Sequence, residues 1–89
     1  MKIVSLNRLN EIENELRKQF PNEEFKFYDK AINIPINDRK NMDILIGYDG
    51  KIDRHFIEHC INLKWIAWFA TGVNNLPLNY IRERDIILT

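Results

Sequence analysis

One cysteine, three glycines and three prolines in 89 residues exclude several kinds of protein at once. The lone Cys60 cannot form an internal disulfide, so the chain is no stapled secreted scaffold, and a reducing, cytoplasmic setting is expected. Neither sign of charge dominates: thirteen Lys and Arg balance thirteen Asp and Glu. That balance argues against nucleic-acid and membrane-surface partners, either of which calls for a basic patch. No run of about 18 apolar residues is present to span a bilayer, and no charged-then-apolar leader opens the chain. Neither G-x-G-x-x-G nor G-x-x-x-x-G-K-[ST] occurs, so these residues are not expected to bind a nucleotide.

What remains is an ordinary globular composition, 45% hydrophobic and 29% charged. At this length it makes one domain, able to bury about 60–65% of the unfolded chain's surface. Ile3-Val4-Ser5-Leu6 reads as a first strand. Asn7 is placed to cap a helix whose apolar residues Leu9, Ile12, Leu16 and Phe20 recur at spacings of three and four, and Pro21-Asn22 closes it. Phe25 to Tyr28 is a second strand, and the loop at 30–42 is long enough to hold an extra turn or helix. Asp43 to Tyr48 is a third strand. Asp53 caps a helix over roughly 54–61, Trp65 to Phe69 is a fourth strand, Pro77 to Arg84 a helix, and Ile86 to Leu88 a fifth strand.

Strands and helices alternate, and strands three to five are apolar without interruption rather than at every second residue. Parallel strands covered by helices read that way. The expectation is a right-handed, doubly wound α/β fold, flavodoxin-like, with a parallel five-stranded sheet and helices on both faces. Such sheets bind ligands beyond the carboxyl ends of their strands. All three glycines, Gly47, Gly50 and Gly72, fall at the ends of strands three and four, so a site is expected between those ends.

Several chemistries can be weighed. His55-Phe56-Ile57-Glu58-His59 matches the H-x-x-E-H zinc-protease pattern. At about 100° per residue, Phe56, Ile57, Cys60 and Ile61 define the buried side of that helix. His55 and Glu58 then point away from the core, His59 lies well off it, and no third ligand follows, so a solvent-facing coincidence is the expectation. Cys60 reads as a small buried hydrophobe rather than a nucleophile. Trp65 and Trp68 read as core and interface packing. A flavin site needs a Ser/Thr-rich loop after strand one, where the chain has Leu6-Asn7-Arg8-Leu9-Asn10. A phospho-receiver needs an acidic pair there and has none, which leaves Asp49 as a turn residue beside Gly50. Gly72 either permits a tight strand-to-helix turn or, with Thr71, presents backbone amides to a small anion.

The stretch Leu63-Lys64-Trp65-Ile66 through Ala70-Thr71-Gly72-Val73-Asn74-Asn75-Leu76 resembles the L-K-x-I-x-x-x-x-A-G-V-D-x-L/I passage of D-isomer-specific 2-hydroxyacid dehydrogenases. The likeness extends over most of the chain. Asp43 to Ile46 is similar to that family's third strand, and Ile81 to Thr89 to the helix and strand before its crossover into a nucleotide-binding domain. Asn74 stands where Asp is usual, and Asp85 where Gly is usual before the fifth strand. Asp tolerates a left-handed helix cap, so the fold should survive that exchange.

The resemblance implies that residues 1–89 are a single substrate (catalytic) domain of an NAD(P)-dependent oxidoreductase interconverting 2-oxo acids and D-2-hydroxy acids. The main chain at Thr71 and Gly72 would hold the substrate carboxylate, and Tyr48 and Asp49 would border the cleft. The family's Arg, Glu and His and its dinucleotide loop come later in sequence than Thr89. The chain alone is therefore expected to be an inactive fragment that binds no cofactor, while the parent would use NAD or NADP and form a homodimer. A second expectation stands beside it: a stand-alone, non-catalytic domain that binds a small anion or another protein. A severed domain should expose an apolar patch where the rest of the enzyme packed. A stand-alone one should be monodisperse or a defined oligomer.

Overall fold

The computed structural model describes residues 1–6, 10–47, 49, 51–68 and 76–89, with residues 10–12 described by backbone alone. Five strands, β1 (Lys2–Ser5), β2 (Glu24–Phe27), β3 (Ile44–Gly47), β4 (Trp65–Trp68) and β5 (Ile87–Leu88), form one sheet in the order β2-β1-β3-β4-β5. Every neighbouring pair is parallel. The alternation of strand and helix demanded that outcome, because parallel neighbours need a crossover between them. The expected α/β class is what the chain adopts.

Register explains the core. Val4, Leu45, Ile66 and Leu88 lie side by side across β1, β3, β4 and β5. The first three are fully buried, and they join one apolar cluster with Ile34, Met42, Phe56, Ile57 and Ile81. Those last five come from helices α2 (Ile36–Asn41), α3 (Arg54–Glu58) and α4 (Leu78–Glu83) or the residues next to them, so all three helices cover this face. Helix α1 (Asn10–Gln19) lies on the other side, where the Arg17 guanidinium stands 5.3 Å from the Phe27 ring centre and Phe25 is buried.

Local chemistry sets the helix ends. Asp53 caps α3, its carboxylate accepting the Phe56 N–H at 2.9 Å. At the far end of α4, Asp85 takes φ 56°, the left-handed value anticipated for it. Ile86 N–H then reaches the Ile81 carbonyl at 3.1 Å and Asp85 N–H reaches Arg82 at 3.0 Å, the two bonds of a Schellman motif. Its usual apolar contact is supplied by Ile81 and Ile86, both buried. The Arg84 guanidinium donates to the Ile57 and Cys60 carbonyls at 3.2 and 2.8 Å, tying this turn to the end of α3.

The 30–42 segment holds the extra structure its length allowed, a 3-10 turn, Ala31–Asn33, and then α2. Three details depart from the sequence reading. Helix α3 stops at Glu58, three residues short of the expected 61, because His59 and Cys60 N–H groups bond to carbonyls only three residues back. The helical phase is lost there, so Ile61 is 66% exposed rather than part of the core. Phe20 falls just past α1 and is half exposed. The expected cap Asn7 and the apolar Leu9 lie outside the described residues.

Candidate functional site

The carboxyl ends of the strands gather at one edge of the sheet. Leu6 N–H continues the ladder to the Ile46 carbonyl at 2.8 Å, and Tyr28 N–H bonds to Ser5 at 2.9 Å. Strand β3 ends on Gly47 at φ 127°, a conformation that side-chain-bearing residues rarely adopt. A Cβ placed there would lie 2.9 Å from the Leu6 Cβ and 3.3 Å from the Leu6 nitrogen. Glycine therefore serves two needs: it takes a φ that other residues rarely adopt, and it leaves room for β1 to lie close to β3.

Asp49 stands two residues further on. One carboxylate oxygen accepts the Lys51 N–H at 2.9 Å, closing the turn, and the other accepts the Ala31 N–H at 2.6 Å. The loop after β3 is thereby fastened to the 3-10 turn after β2. The expected turn role for Asp49 is visible here. Its reach across to Ala31 is not deducible from sequence, since the two are 18 residues apart. Tyr48, Thr71 and Gly72, the other candidate substrate contacts, lie outside the described residues, as do Gly50 and Asn74.

Beside this loop a recess of about 150 Å³ opens between Ile32, Arg39, Lys51, Asp53, His55 and Phe56. Arg39 is fixed within it. Its Nε donates to the Ile34 carbonyl at 2.9 Å and Nη2 to Ala31 at 3.3 Å, while the guanidinium lies 4.8 Å from the Phe56 ring centre. Sequence reading missed Arg39, because its partners are backbone carbonyls that only the 3-10 turn brings together.

A second polar group holds α2 to the sheet. The Lys2 ammonium and the Tyr28 hydroxyl both donate to the Asp38 carboxylate, and Lys2 also faces Glu24 at 3.5 Å. These hydrogen bonds, from Lys2 first and Tyr28 second, hold the Asp38 carboxyl below its ordinary value. The bond to Asp38 raises Lys2. Burial, aided by Asp38, pushes the Tyr28 phenol up to about 12. All three groups keep the protonation state that maintains the cluster across the neutral range.

The histidines of the H-x-x-E-H pattern do sit together, ring centres 4.8 Å apart, with His55 exposed and His59 half-buried. Among the described residues no three His, Cys, Asp or Glu side chains converge as a metal site would need. Cys60 is buried, and that burial pushes its thiol up to about 12, while Sγ donates to the Phe56 carbonyl at 3.3 Å. It is held as an uncharged core atom. No helix among the described residues is long and apolar enough to cross a membrane.

A five-stranded, all-parallel sheet in this order, alternating with helices, defines an open α/β domain. The family follows from a match of residues 3–89 to the catalytic domain of D-isomer specific 2-hydroxyacid dehydrogenases. The chain belongs to that family. Solved structures with the same fold include the D-lactate dehydrogenase of Aquifex aeolicus, in complex with NAD and lactic acid, at TM-score 0.83 and 18% identity. The NAD-dependent formate dehydrogenase of Staphylococcus aureus follows at 0.77 and 21%, and the phosphoglycerate dehydrogenase of Lactobacillus plantarum at 0.75 and 16%. These superpositions cover 99–100% of this chain but only 27–31% of those chains. Comparison with curated proteins gave no match.

Proposed function

We propose that residues 1–89 form the substrate-side domain of an NAD(P)-dependent oxidoreductase that interconverts 2-oxo acids and D-2-hydroxy acids. The observation that carries this reading is the family match over residues 3–89. In this reading the amides of Thr71 and Gly72 hold the substrate carboxylate. Backbone N–H donors suit that task because they carry no titratable proton and are aimed by the fold.

Tyr48 and Asp49 border the cleft, with different duties. Both oxygens of Asp49 are engaged by backbone N–H groups, so its negative charge is directed toward the scaffold and away from a second carboxylate. It acts by positioning the loop. The sequence carries no G-x-G-x-x-G loop of the kind that cradles a dinucleotide. The cofactor and the acid–base groups belong to the part of the enzyme outside this chain, and the chain alone is expected to be inactive.

The test uses the full-length protein with NADH and a panel of short 2-oxo acids. Replacing Thr71 by Pro deletes one amide donor and should raise KM for the 2-oxo acid at least tenfold, in line with the ~1.5–3 kcal/mol typical of a hydrogen bond to a charged group. KM for NADH should stay put. An unchanged KM for the oxo acid would refute the carboxylate assignment, and turnover by the 89-residue chain alone would refute the division of labour.

A further inference from the structure

Three backbone carbonyls and one aromatic ring hold Arg39, and none of them carries a charge. Its Nε donates to the Ile34 carbonyl at 2.9 Å, and Nη2 is shared between the Ala31 and Ile32 carbonyls at 3.3 and 3.5 Å. The Phe56 ring centre lies 4.8 Å from the guanidinium carbon. Among the described residues Arg39 forms no ion pair with a carboxylate, and its Nη1 has no hydrogen-bond partner. The fork is thus held in place with donors to spare. A guanidinium already fixed by its surroundings loses little further freedom when it grips an anion.

A second cation lines the same recess. Lys51 is exposed and also has no ion pair among the described residues. Asp53 and His55 complete the polar lining, and Ile32 and Phe56 supply hydrocarbon walls. Near pH 8, where histidine is neutral, two cations and one carboxylate leave a single positive charge around the recess. A monocarboxylate neutralises that charge. Phosphate or a dicarboxylate overshoots it and brings a second negative charge against Asp53. The 150 Å³ of space holds about five water-sized groups, which suits a carboxylate on a short apolar chain.

We propose that this recess is a binding site for a short-chain monocarboxylate, its head group held between Arg39 and Lys51 and its chain against Ile32 and Phe56. The site is separate from the substrate contacts: none of its lining residues is Tyr48, Asp49, Thr71 or Gly72. Its effect on the fold is mechanical. Ala31 gives its carbonyl to Arg39 and its N–H to Asp49, and the other Asp49 oxygen takes the Lys51 N–H. A carboxylate bridging the Arg39 and Lys51 side chains closes that series of bonds into a ring. The 3-10 turn after β2 and the loop after β3 are then strapped together twice instead of once.

The probe is butanoate, which has no 2-oxo group to be reduced, titrated calorimetrically into the full-length protein at about pH 8. It should bind with a Kd of about 1–10 mM, ordinary for six heavy atoms, and inorganic phosphate should bind at least tenfold more weakly. Lys51→Glu should weaken butanoate at least tenfold with little change in urea midpoint, because the backbone N–H of Lys51 serves Asp49 and its side chain is exposed. Lys51→Gln, which removes the charge alone, repeats the test should the new carboxylate loosen the loop. Bound butanoate should also slow amide exchange at both Ala31 and Lys51. No heat up to ~50 mM would overturn the proposal, and so would equal affinity in both Lys51 variants. Loss of binding in Thr71→Pro with retention in Lys51→Glu would overturn it too, by placing butanoate at the substrate amides. Unchanged exchange at Ala31 and Lys51 would overturn the bridged geometry. Turnover of 2-oxo acids enters none of these readouts, so failure of the proposed activity and failure of this site are told apart.

Discussion

Gly47→Ala is the sharpest single perturbation of the site's scaffold. Two separate costs can be worked from its surroundings. The first is conformational: φ 127° is a region that L-residues occupy at ~1–3 kcal/mol. The second is steric. The new methyl would meet the Leu6 Cβ at 2.9 Å and the Leu6 backbone at 3.3–3.4 Å, where ordinary contacts begin near 3.5 Å. Leu6 cannot retreat freely, because its N–H is bonded to the Ile46 carbonyl at 2.8 Å and its side chain is buried. Overpacking of that kind costs a further ~1–3 kcal/mol. The expected loss is about 2–6 kcal/mol, a large share of the ~4–13 kcal/mol typical of a domain this size. Urea unfolding followed by tryptophan fluorescence reads it as a fall in midpoint at unchanged slope. A double-mutant cycle with Leu6→Gly divides the two costs, since it removes the nearest contact, with the residue-6 Cβ, but keeps the strained backbone at residue 47. An unfolding free energy for Gly47→Ala within about 0.5 kcal/mol of the parent would refute the claim that this glycine is obligatory.

Other outcomes follow from the same structure. Asp85→Gly should stabilise the protein by about 0.5–1 kcal/mol, because glycine takes the left-handed cap without a Cβ penalty, and the urea midpoint should rise accordingly. The Lys2–Tyr28–Asp38 cluster should shape both limbs of the stability–pH profile. Asp38 is held below its ordinary value near 3.8, so its contribution is present above that pH and fades as pH falls through the lower folded value; Asp38→Asn should flatten that limb. Tyr28 is raised from 10.0 to about 12, so between those values the unfolded chain loses a proton that the folded chain keeps, and stability drops as pH rises. Tyr28→Phe should weaken the alkaline drop, and an unchanged profile would show that the cluster does not couple to folding. Cys60 should resist a thiol reagent in native buffer and react fully in urea, since its thiol is buried and held protonated; rapid native labelling would contradict its place in the core.

The class of fold was legible because its signals are local and repeated: apolar runs at Ile44 to Ile46 and Trp65 to Trp68, a capping Asp53, a Pro77 ahead of α4. Asp85 could be read as a left-handed cap because only a few residue types tolerate that conformation. What escaped reading depended on partners distant in sequence. Asp49 gripping the Ala31 amide and Arg39 gripping the Ile34 and Ala31 carbonyls both require the 3-10 turn, whose sequence, Ala31-Ile32-Asn33, carries no period. Ile61 was misplaced because a helical wheel presumes a helix that continues, and α3 had already tightened into shorter-range bonds. The apolar run of β3 and β4 was read as burial on both faces, yet Trp65 is 39% exposed. Of the candidate site, the glycine positions and the turn at Asp49 could be read directly, while Thr71, Gly72 and Tyr48 rest on family likeness.

Arg84 joins two units that could otherwise open separately. A single guanidinium holds the Ile57 and Cys60 carbonyls, and Arg54 and Arg84 both stack near the Tyr80 ring, at 4.6 and 5.7 Å. The end of α3 and the end of α4 are therefore bolted to one another above β3, β4 and β5. Fluctuations that detach α4 must also strip the last turn of α3, so amide hydrogens in both should exchange at a common rate rather than as independent frays. A lysine at this position would keep the charge but not the planar fork that spans two acceptors.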